Sequence, residues 1–431
     1  MTRSHRSESG KIRRIAVIGA GISGLGAAWL LSRSSDVVLY EARPQLGGHA
    51  QTVHVAIDGR EIPVDIGFIV FNHVNYPHLS SLFSQLDVPI QPSDMSFAVS
   101  LDKGRFEFGC RNLRAALAQT ENMLRPKFWQ MIGDIRRFNR NILADTDANP
   151  DLSLGDFIAY RRLGKWFEQR YLLPMSGAIW STPRNQMLRF PAQALARFFD
   201  NHGLLSFHNQ HQWWTVKDGS ENYVTRMAAR MNAEIRPGSP IEAVWRDPHG
   251  IHVKAVGNES QTYDNVIFAC HADTTLSLLQ DATKEENDIL AAIPYQPNRV
   301  ILHTDSTLMP RRRACWSSWV YLADAEAEKE GAQAAVSYWM NSLQGISSNT
   351  PLIVTLNPPA RLDENTILAE HALAHPQFDF AAIKAQQKLG AIQGRGGIFY
   401  CGAWVGMGFH EDGLASALNV AAKLGVSAPW K

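Results

Sequence analysis

The chain has 431 residues, of which 45% are apolar and 19% are charged, and its formal net charge is +1. A chain of this length can build two packed domains, and a net charge this close to zero argues against a nucleic-acid-binding protein. The four cysteines form no CxxC pair, so the sequence predicts neither a disulfide framework nor a zinc or other metal site.

The N-terminal region admits three interpretations. Residues 1–10, rich in Ser, Arg and His, predict a disordered arm, and Arg13 and Arg14 then precede an apolar run over 15–31. Such a run is typical of an export signal, a membrane anchor or a phosphate-binding turn. It is too short to span a bilayer, it contains four glycines, and a turn and a strand follow it instead of a cleavage site. A single arginine pair is also weak evidence for twin-arginine export.

A dinucleotide-binding turn explains the same run position by position. Residues 15–18 predict a buried strand, and three glycines with G-x-G-x-x-G spacing follow as the chain enters a helix. The first glycine permits the tight turn, the second lets a pyrophosphate approach the backbone, and the third lets helix and strand pack closely. A second strand over 37–40 precedes Glu41, whose carboxylate can accept hydrogen bonds from the adenosine ribose. The residues expected around the phosphates are Gly19, Ala20, Gly21, Ser23 and Gly24.

Ser23 has a second interpretation. The letters GISGL resemble the nucleophile elbow of hydrolases, which is another strand–turn–helix device. That motif needs glycine where this chain has Leu25. We therefore expect Ser23 to be a turn residue near phosphate and not a nucleophile.

The residues that follow the second strand favour a flavin over a nicotinamide cofactor. The stretch EARPQLGGHAQTV resembles the second part of the FAD fingerprint in the flavin amine oxidase and phytoene desaturase superfamily, in which an acidic residue precedes a basic residue and a Gly-Gly pair. The later VDIGFIVF resembles a segment that this superfamily places at the isoalloxazine edge, with Asp65 and Gly67 in its D-x-G. By this resemblance, FAD is expected to contact Glu41, Ala42, Arg43, Gly48, His49, Gly67 and Phe68.

The resemblance resumes far downstream. In GSPIEAVW the residue after proline, Ile241, matches a position that contacts adenine through its backbone. The stretch IFYCGAWVGMGFHEDGLASALNVA resembles the C-terminal flavin motif, although Trp404 stands where an acidic residue is common. The positions carried over from that motif are Gly402, Gly413, Leu414 and Ala415.

The resemblance covers nearly the whole chain and implies an architecture. It is nearest to bacterial predicted NAD/FAD-binding oxidoreductases that resemble the flavoprotein domain of plant cyclopropane fatty acid synthases. The implied fold is α/β, a two-domain GR2-type flavoprotein in which a Rossmann-like FAD-binding domain is interleaved with a substrate domain of mixed sheet and helices. The expected FAD-binding domain is 11–95, 215–290 and 390–431, and the expected substrate domain is 96–214, mostly helical, with 291–389.

A single dinucleotide-binding turn provides for FAD but not for NAD(P)H, which favours hydride transfer from a substrate to FAD with oxygen or a quinone as final acceptor. Many amine oxidases of the superfamily place a lysine near flavin N5, and this chain has Arg299 at the matching position, where a proton is not readily relayed. Cys401 is not at the family's flavin-linking position, so noncovalent FAD is expected. Besides Arg299, the catalytic candidate is His410, which can act as acid or base or can simply be a packed histidine.

Basic and aromatic residues together suggest a lipid substrate. Residues 111–140 carry seven Arg or Lys against two acids, interleaved with Leu, Met, Phe and Trp, and 309–320 add three consecutive arginines beside tryptophans. Such segments are compatible with an anionic membrane surface and an acyl chain that enters a pocket. The sequence alone slightly favours a solvated helix face that packs through its apolar stripe, and it is the resemblance to the family that favours membrane contact. Trp180, Phe199 and His202 are the expected pocket residues.

The leading hypothesis is an FAD-dependent oxidoreductase that dehydrogenates or otherwise oxidises a modified fatty acyl chain of membrane phospholipid. One alternative is an amine or amino-acid oxidase, which would act on a soluble small molecule. Another is a non-catalytic flavoprotein that assists a lipid-modifying enzyme. The expected location is cytoplasmic, with peripheral contact at the inner membrane, because no signal or spanning segment is predicted.

Overall fold

The structure is a computed structural model that describes residues 12–206, 211–324, 334–358 and 362–430. The arm predicted over 1–10 lies outside the described residues. Within the described ranges the chain forms a mixed α/β structure whose two largest sheets have five and seven strands.

The described strands are β1 Arg14–Ile18, β2 Asp36–Tyr40, β3 Thr52–Ile57, β4 Arg60–Asp65, β5 Val70–Phe71, β6 Ile90–Ser93, β7 Phe97–Leu101, β8 Phe106–Gly109, β9 Trp213–Val216, β10 Glu234–Arg236, β11 Ile241–Asp247, β12 Gly250–Ala255, β13 Gln261–Tyr263, β14 Asn265–Phe268, β15 Tyr295–His303, β16 Trp319–Ala323, β17 Ala335–Trp339, β18 Ile353–Leu356, β19 Ile367–Pro376 and β20 Ile398–Tyr400. The described helices are α1 Ile22–Leu31, α2 Pro77–Gln85, α3 Leu113–Ala116, α4 Pro126–Ala148, α5 Leu154–Tyr160, α6 Lys165–Phe167, α7 Leu173–Trp180, α8 Arg184–Met187, α9 Ala192–Asn201, α10 Glu221–Ala229, α11 Ala272–Leu278, α12 Lys284–Leu290, α13 Met340–Leu343, α14 Phe380–Lys388 and α15 His410–Lys423. A π-helical turn over Glu168–Leu172 joins α6 to α7.

The five-stranded sheet is parallel throughout, with the order β10-β2-β1-β14-β20. Its central strand β1 is apolar on both faces because both faces are covered. Ile15 and Val17 pack with α1 and α15, while Ala16 and Ile18 pack on the other side with strands β11 to β13. Since the carboxyl ends of parallel strands meet at one edge, the residues that follow β1, β2, β14 and β20 lie together there.

The seven-stranded sheet has the order β19-β15-β18-β17-β16-β7-β8 and is antiparallel except where β16 meets β7. Helix α4, with 23 residues, buries an apolar stripe in the core that this sheet shares with α5 to α9. The stripe comprises Phe128, Met131, Ile135, Phe138 and Ile142. None of the helices in the described ranges has both the length and the hydropathy of a bilayer-crossing segment.

The two large sheets draw on different parts of the chain. The strands of the five-stranded sheet come from 14–40, 234–268 and 398–400, and those of the seven-stranded sheet come from 97–109 and 295–376. Strand β9 pairs with β5 and β6, so a domain boundary between 214 and 215 would cut a strand. We therefore place that boundary before β9 and keep the division into two domains as a proposal.

Candidate active site

A cavity of about 1020 Å³ is lined by residues from both large sheets and from several helices. At one end, the lining residues follow the carboxyl ends of β1, β2, β14 and β20, where open parallel sheets bind ligands. We call this the dinucleotide end. The remaining lining comes mainly from α7, α9 and the seven-stranded sheet, and we call it the substrate section.

The turn between β1 and α1 has a backbone that requires glycine. Gly19 has φ of +100°, in the left-handed region, and its N–H donates to the Tyr40 carbonyl at 2.8 Å. A Cβ on Gly24 would lie 1.7 Å from the Gly19 carbonyl oxygen, so the third glycine lets α1 pack on the turn. A Cβ on Gly48 would lie 2.8 Å from the Gly21 Cα, so these two glycines approach each other closely. The cavity lining here includes Gly19, Gly21, Ser23 and Gly48, but not Gly24.

Glu41, the residue after β2, is oriented by two backbone groups. Its Oε2 accepts a hydrogen bond from the Ala20 N–H at 2.7 Å, and its Oε1 accepts one from the Arg43 N–H at 3.0 Å. Ala20 is fully buried and does not line the cavity, so its contribution is to hold this carboxylate. Glu41, Ala42 and Arg43 line the dinucleotide end together with Ile241. The carboxylate retains lone pairs that can accept from ribose hydroxyls.

These features fit FAD. Helix α1 begins with no side-chain cap and no acidic residue in its first turn, so its N–H groups and dipole are available to phosphate. A side chain in place of Gly21 or Gly48 would fill the space beside that helix end. His49, next to Gly48, lines the cavity, and its buried Nε2 has no hydrogen-bond partner among the described residues. A polar group of a bound cofactor can supply that partner.

The D-x-G segment divides between the cavity and the core. Gly67 and Phe68 line the cavity, whereas Asp65 does not. The buried Asp65 carboxylate accepts hydrogen bonds from the Thr52 hydroxyl at 2.7 Å and from the Ser220 N–H at 2.8 Å. Burial raises the pKa of Asp65 to about 6. This aspartate therefore joins strands β3 and β4 to the start of α10, which corrects its expected place at the isoalloxazine edge.

The C-terminal motif also has residues in two places, some in the cavity lining and others in the core. Gly402, after β20, lines the cavity, and its N–H donates to the Ser416 hydroxyl at 2.9 Å. A Cβ on Gly413 would lie 2.9 Å from the Ser23 Oγ, and Leu414 is 1% exposed in the core shared with α1. The carried-over positions that do not line the cavity are Gly413, Leu414 and Ala415. The first two pack α15 on α1, so the structure does not support direct contacts between these three residues and FAD.

Three histidines that line the cavity were not among the predicted site residues, namely His211 and two that lie beside His49. His271, three residues past the end of β14, and His375, on β19, line the cavity beside His49. The His49 ring centroid lies 5.9 Å from that of His271 and 5.6 Å from that of His375. Burial lowers the pKa of His49, His271 and His375, to about 4 for His375, so this cluster is neutral near pH 7. No group of His, Cys, Asp or Glu in the described ranges is arranged to hold a metal ion.

His271 could have been found from the sequence and His375 could not. A residue just past the carboxyl end of a central parallel strand faces the ligand site of such a sheet. The buried strand VIF that precedes His271 was recognisable. His375 reaches the cavity from an antiparallel strand more than a hundred residues later, and no local pattern marks it.

His410 opens α15 and lines the cavity. Its ring stacks on Phe68 with centroids 3.8 Å apart, and its Nε2 lies 3.0 Å from the Tyr223 hydroxyl oxygen. Burial lowers the pKa of His410 to about 3 and raises the pKa of Tyr223. The imidazole is therefore neutral near pH 7, and a neutral imidazole can accept a proton or a hydrogen bond.

Aromatic rings line the substrate section. Trp180 and His202, two of the residues expected in the pocket, are part of the lining, and Phe198 lies between them. The Phe198 ring centroid is 4.8 Å from that of Trp180 and 3.8 Å from that of His202. The indole N–H of Trp180 donates to the Met407 carbonyl at 3.2 Å, which fixes the ring against the loop before α15.

Phe199 was expected in the pocket, but the structure places it in the core. It is 1% exposed and does not line the cavity, because its ring packs in the core, 6.1 Å from that of Phe138 on α4. One residue along an α-helix turns the side chain by about 100°. The cavity-facing residue of this pair on α9 is Phe198.

Arg299 was expected near the flavin as a catalytic candidate, but the structure places it outside the cavity. Its guanidinium pairs with Glu370 on β19 at 2.7 Å, and the two side chains are 49% and 48% exposed. The next residue, Val300, lines the cavity. Because successive side chains of a strand point to opposite faces, Arg299 faces away from the cavity that Val300 faces. The structure therefore removes Arg299 from the catalytic candidates and places an apolar side chain at this part of β15.

Residues 22–366 match the sequence model of the family described as flavin containing amine oxidoreductase. This match covers well over half of the chain, so the protein belongs to that family. Membership confirms the predicted superfamily, FAD as the cofactor and the class of FAD-dependent oxidoreductase. A comparison with functionally curated proteins gives no match.

Solved structures confirm the predicted fold class. The fatty acid isomerase from P. acnes that produces CLA is 14% identical, with a TM-score of 0.68 over 96% of this chain and 99% of that one. Cyclohexylamine oxidase from Brevibacterium oxydans IH-35A is 14% identical, with a TM-score of 0.66 over 96% of this chain and 100% of that one. A putative protoporphyrinogen oxidase from Exiguobacterium sp. 255-15 is 15% identical, with a TM-score of 0.65 over 96% and 99%. At these identities the likeness is one of fold.

Proposed function

We propose that this protein oxidises a fatty acyl chain of membrane phospholipid by hydride transfer to FAD, as in dehydrogenation of a modified acyl chain. The observation that carries the proposal is the aliphatic and aromatic lining of the substrate section. Burial of each acyl methylene against such a lining is worth about 0.8 kcal/mol, so a long chain gains more from it than a small amine. Lining residues of this kind include Phe97, Met175, Ile179, Phe198, Leu356 and Leu373.

The charges of the lining also favour an uncharged reacting segment. Among the described residues, the carboxylates of the lining are those of Glu41 and Asp94. Glu41 belongs to the dinucleotide end. Asp94 lies 3.2 Å from the Arg111 guanidinium and accepts the Ser96 N–H at 2.7 Å. A substrate ammonium would therefore have to compete with Arg111 for its counter-ion.

FAD, when bound, accepts a hydride and passes the electrons on to oxygen or a quinone. In this proposal Trp180 and Phe198 hold the acyl chain and keep water from it. Neutral His410 takes up the proton that leaves with the hydride as a carbon–carbon double bond forms, and its hydrogen bond with Tyr223 keeps its ring in place. We expect FAD to be held noncovalently, since Cys401 is fully buried and does not line the cavity.

Amine or amino-acid oxidation is the second candidate. It is favoured by the family to which the chain belongs and by the aromatic rings of the lining, which can hold a cation.

The test is an anaerobic absorbance titration of the flavin with phospholipids that carry branched or cyclopropane acyl chains, beside a panel of amines and NADPH. Bleaching by lipid supports the proposal. Bleaching by an amine and not by lipid would establish the second candidate. If nothing bleaches a fully loaded flavoprotein, the proposal is wrong and a non-catalytic partner of a lipid-modifying enzyme becomes the better interpretation.

A further inference from the structure

We propose that a surface next to the substrate section is a docking face for an anionic lipid bilayer. The docking face consists of residues 111–129 and 311–313. Its relevance to catalysis rests on the proposed function, because an acyl chain must leave a membrane to reach the cavity. Its side chains are separate from those that hold FAD or the reacting carbon, so the docking face and the proposed function can fail separately.

Large apolar side chains are exposed at several positions within the first segment of the docking face. Eight such residues are exposed in the described part of the chain, and four of them lie within 113–129. They are Leu113, Met123, Leu124 and Trp129, exposed by 74%, 40%, 86% and 52%. The indole N–H of Trp129 donates to the Met123 carbonyl at 2.9 Å, which holds the two residues side by side. Single exposed apolar residues are ordinary on a protein surface, but a group of them marks an interaction site.

Cations accompany these apolar side chains. The exposed basic residues of the docking face are Arg111, Arg114, Arg125, Lys127, Arg311 and Arg313. Within 111–129 the sequence has one acid, Glu121, which lies 3.7 Å from the half-buried Arg312. No ion pair to Arg114 or Lys127 is formed by the described residues. The face therefore keeps a strong positive charge available for anionic headgroups.

Buried contacts through Glu107 and Cys315, which lie beside the two segments, hold the docking face together. The Glu107 N–H donates to the Gln119 side chain at 2.9 Å. The fully buried Glu107 accepts hydrogen bonds from the Arg311 N–H at 2.6 Å and from the Arg312 guanidinium at 3.1 Å. The Cys315 thiol donates to the Ala115 carbonyl at 3.6 Å. Arg313 stacks over the Trp316 ring at 3.6 Å. The exposed cations of both segments are thus displayed on one rigid base.

The docking face meets the cavity at Cys110 and Arg111. Both residues are exposed and both line the cavity, so the cavity reaches the surface there. Leu113 follows two residues later. Trp319, on the neighbouring β16, also lines the cavity and has a buried indole N–H without a partner among the described residues. An acyl chain can enter past Arg111 while its phosphate stays among the arginines of the face.

The composition of this surface favours a bilayer over a protein partner. The centre of a protein–protein interface is depleted of charged residues. Here the apolar side chains alternate along the chain with cations, and two of these cations, Arg114 and Lys127, form no ion pair with a described residue. That mixture suits the boundary between headgroups and acyl chains, where apolar tips insert and cations contact phosphate.

The experiment measures binding of the FAD-loaded protein to sedimented vesicles of phosphatidylcholine alone or mixed with phosphatidylglycerol. The charge variant is Arg114→Glu with Lys127→Glu, and its control is Lys388→Glu, an exposed lysine on α14. The apolar variant is Leu124→Ser with Trp129→Ser, and its control is Val256→Ser, which is 55% exposed between β12 and β13. Flavin content and thermal unfolding establish that each variant is folded.

We expect the wild type to bind the anionic vesicles and each docking-face variant to bind them at least about tenfold more weakly, with the controls unchanged. Equal binding to neutral vesicles, equal loss in the controls, or no binding of the wild type would overturn the proposal, and the last result would favour a protein partner.

Flavin bleaching by detergent-dispersed lipid separates the two proposals. Bleaching without vesicle binding rejects the docking face and keeps the proposed function. Vesicle binding without bleaching supports the docking face and rejects the acyl substrate.

Discussion

The dinucleotide end of the cavity is formed mainly by backbone groups, whereas the substrate section of the same cavity is formed mainly by side chains. The dinucleotide end uses backbone N–H groups, close-packed glycines and one carboxylate, drawn from short contiguous stretches such as 19–24 and 41–49. The substrate section uses side chains from helices and strands that are far apart in the chain. Backbone recognition suits a cofactor that a whole family shares, whereas side chains can be exchanged to change the substrate. A substitution should therefore act on cofactor loading at one end and on substrate preference at the other.

The largest effect is expected at the dinucleotide end from Gly24→Val. Its Cβ would lie 1.7 Å from the Gly19 carbonyl oxygen, and this backbone cannot move away without displacing β1 from α1. We expect no folded, flavin-loaded protein. The matched control is Gly133→Ala in α4, where a Cβ meets open space, and it should be neutral or stabilising by up to about 1 kcal/mol. The flavin-to-protein absorbance ratio and thermal unfolding measure both, and a stable, loaded Gly24→Val protein would contradict the geometry of the turn.

The adjacent residues Phe198 and Phe199 sharpen the comparison within the substrate section. Phe199→Ala removes a core ring and should lower the free energy of unfolding by about 3–5 kcal/mol. Phe198→Ala opens an existing cavity, so we expect a smaller loss of stability and a raised KM for the substrate at unchanged flavin content. Denaturant unfolding and steady-state kinetics separate the two. The reverse pattern would place Phe199 in the cavity.

The sequence predicts these two ends unequally, for physical reasons. At the dinucleotide end the determinants are local, because one strand–turn–helix unit fixes the places of Gly19, Gly21 and Glu41 together. In the substrate section a one-residue error changes the face on which a side chain lies. Arg299 was predicted where Val300 faces the cavity, and Phe199 where Phe198 does. Which face of a strand or helix a given side chain lies on depends on what the element packs against, and the sequence alone does not give that.

Replacement of His410 by phenylalanine tests the residue that lies between the two ends. Phenylalanine preserves the stack on Phe68 but removes the nitrogen that faces Tyr223. If His410 accepts the substrate proton, kcat should fall by about a hundredfold or more while FAD content stays the same. Tyr223→Phe serves as the control that removes only the hydrogen bond, and it should have a smaller effect. An unchanged kcat in His410→Phe would show that this histidine is only packed.

Glu41→Gln should weaken FAD binding without preventing it. The amide keeps one acceptor for the Ala20 or Arg43 N–H but loses the negative charge that strengthens these bonds and the expected ribose contact. We expect the Kd for FAD to rise by about tenfold, which corresponds to about 1.4 kcal/mol. Fluorescence titration of the FAD-free protein measures this. An unchanged Kd would show that the carboxylate does not contact the cofactor.

Acid should destabilise the protein gradually, because histidines of the cavity remain neutral when folded. Burial lowers the pKa of His202 and His375 to about 4 and that of His410 to about 3, whereas an unfolded histidine titrates near about 6.5. As the pH falls from about 7 towards 4, the unfolded chain binds protons that the folded chain does not. The free energy of unfolding then falls by about 1.4 kcal/mol per pH unit for each such proton.

Asp65 opposes this trend and supplies the control. Its raised pKa of about 6 means that, between about pH 4 and 6, the folded state holds a proton that the unfolded state releases. The stability that this group contributes is therefore present at low pH and is lost as the pH rises from about 4 to 6. Denaturant unfolding of the FAD-loaded protein should still show a net loss of stability from pH 7 to 5, and Asp65→Asn should steepen it. A flat profile would show that the cavity histidines are solvated.

The most direct test of acyl oxidation in this cavity is the rate of anaerobic flavin bleaching by a phospholipid whose acyl chain is either protiated or deuterated. Oxidation of the chain predicts that lipid bleaches the flavin and that deuterium in the chain slows the reaction. Deuterium in the headgroup should leave the rate unchanged. Failure of every lipid to bleach a flavin that an amine reduces would contradict the proposal and assign the substrate section to amines.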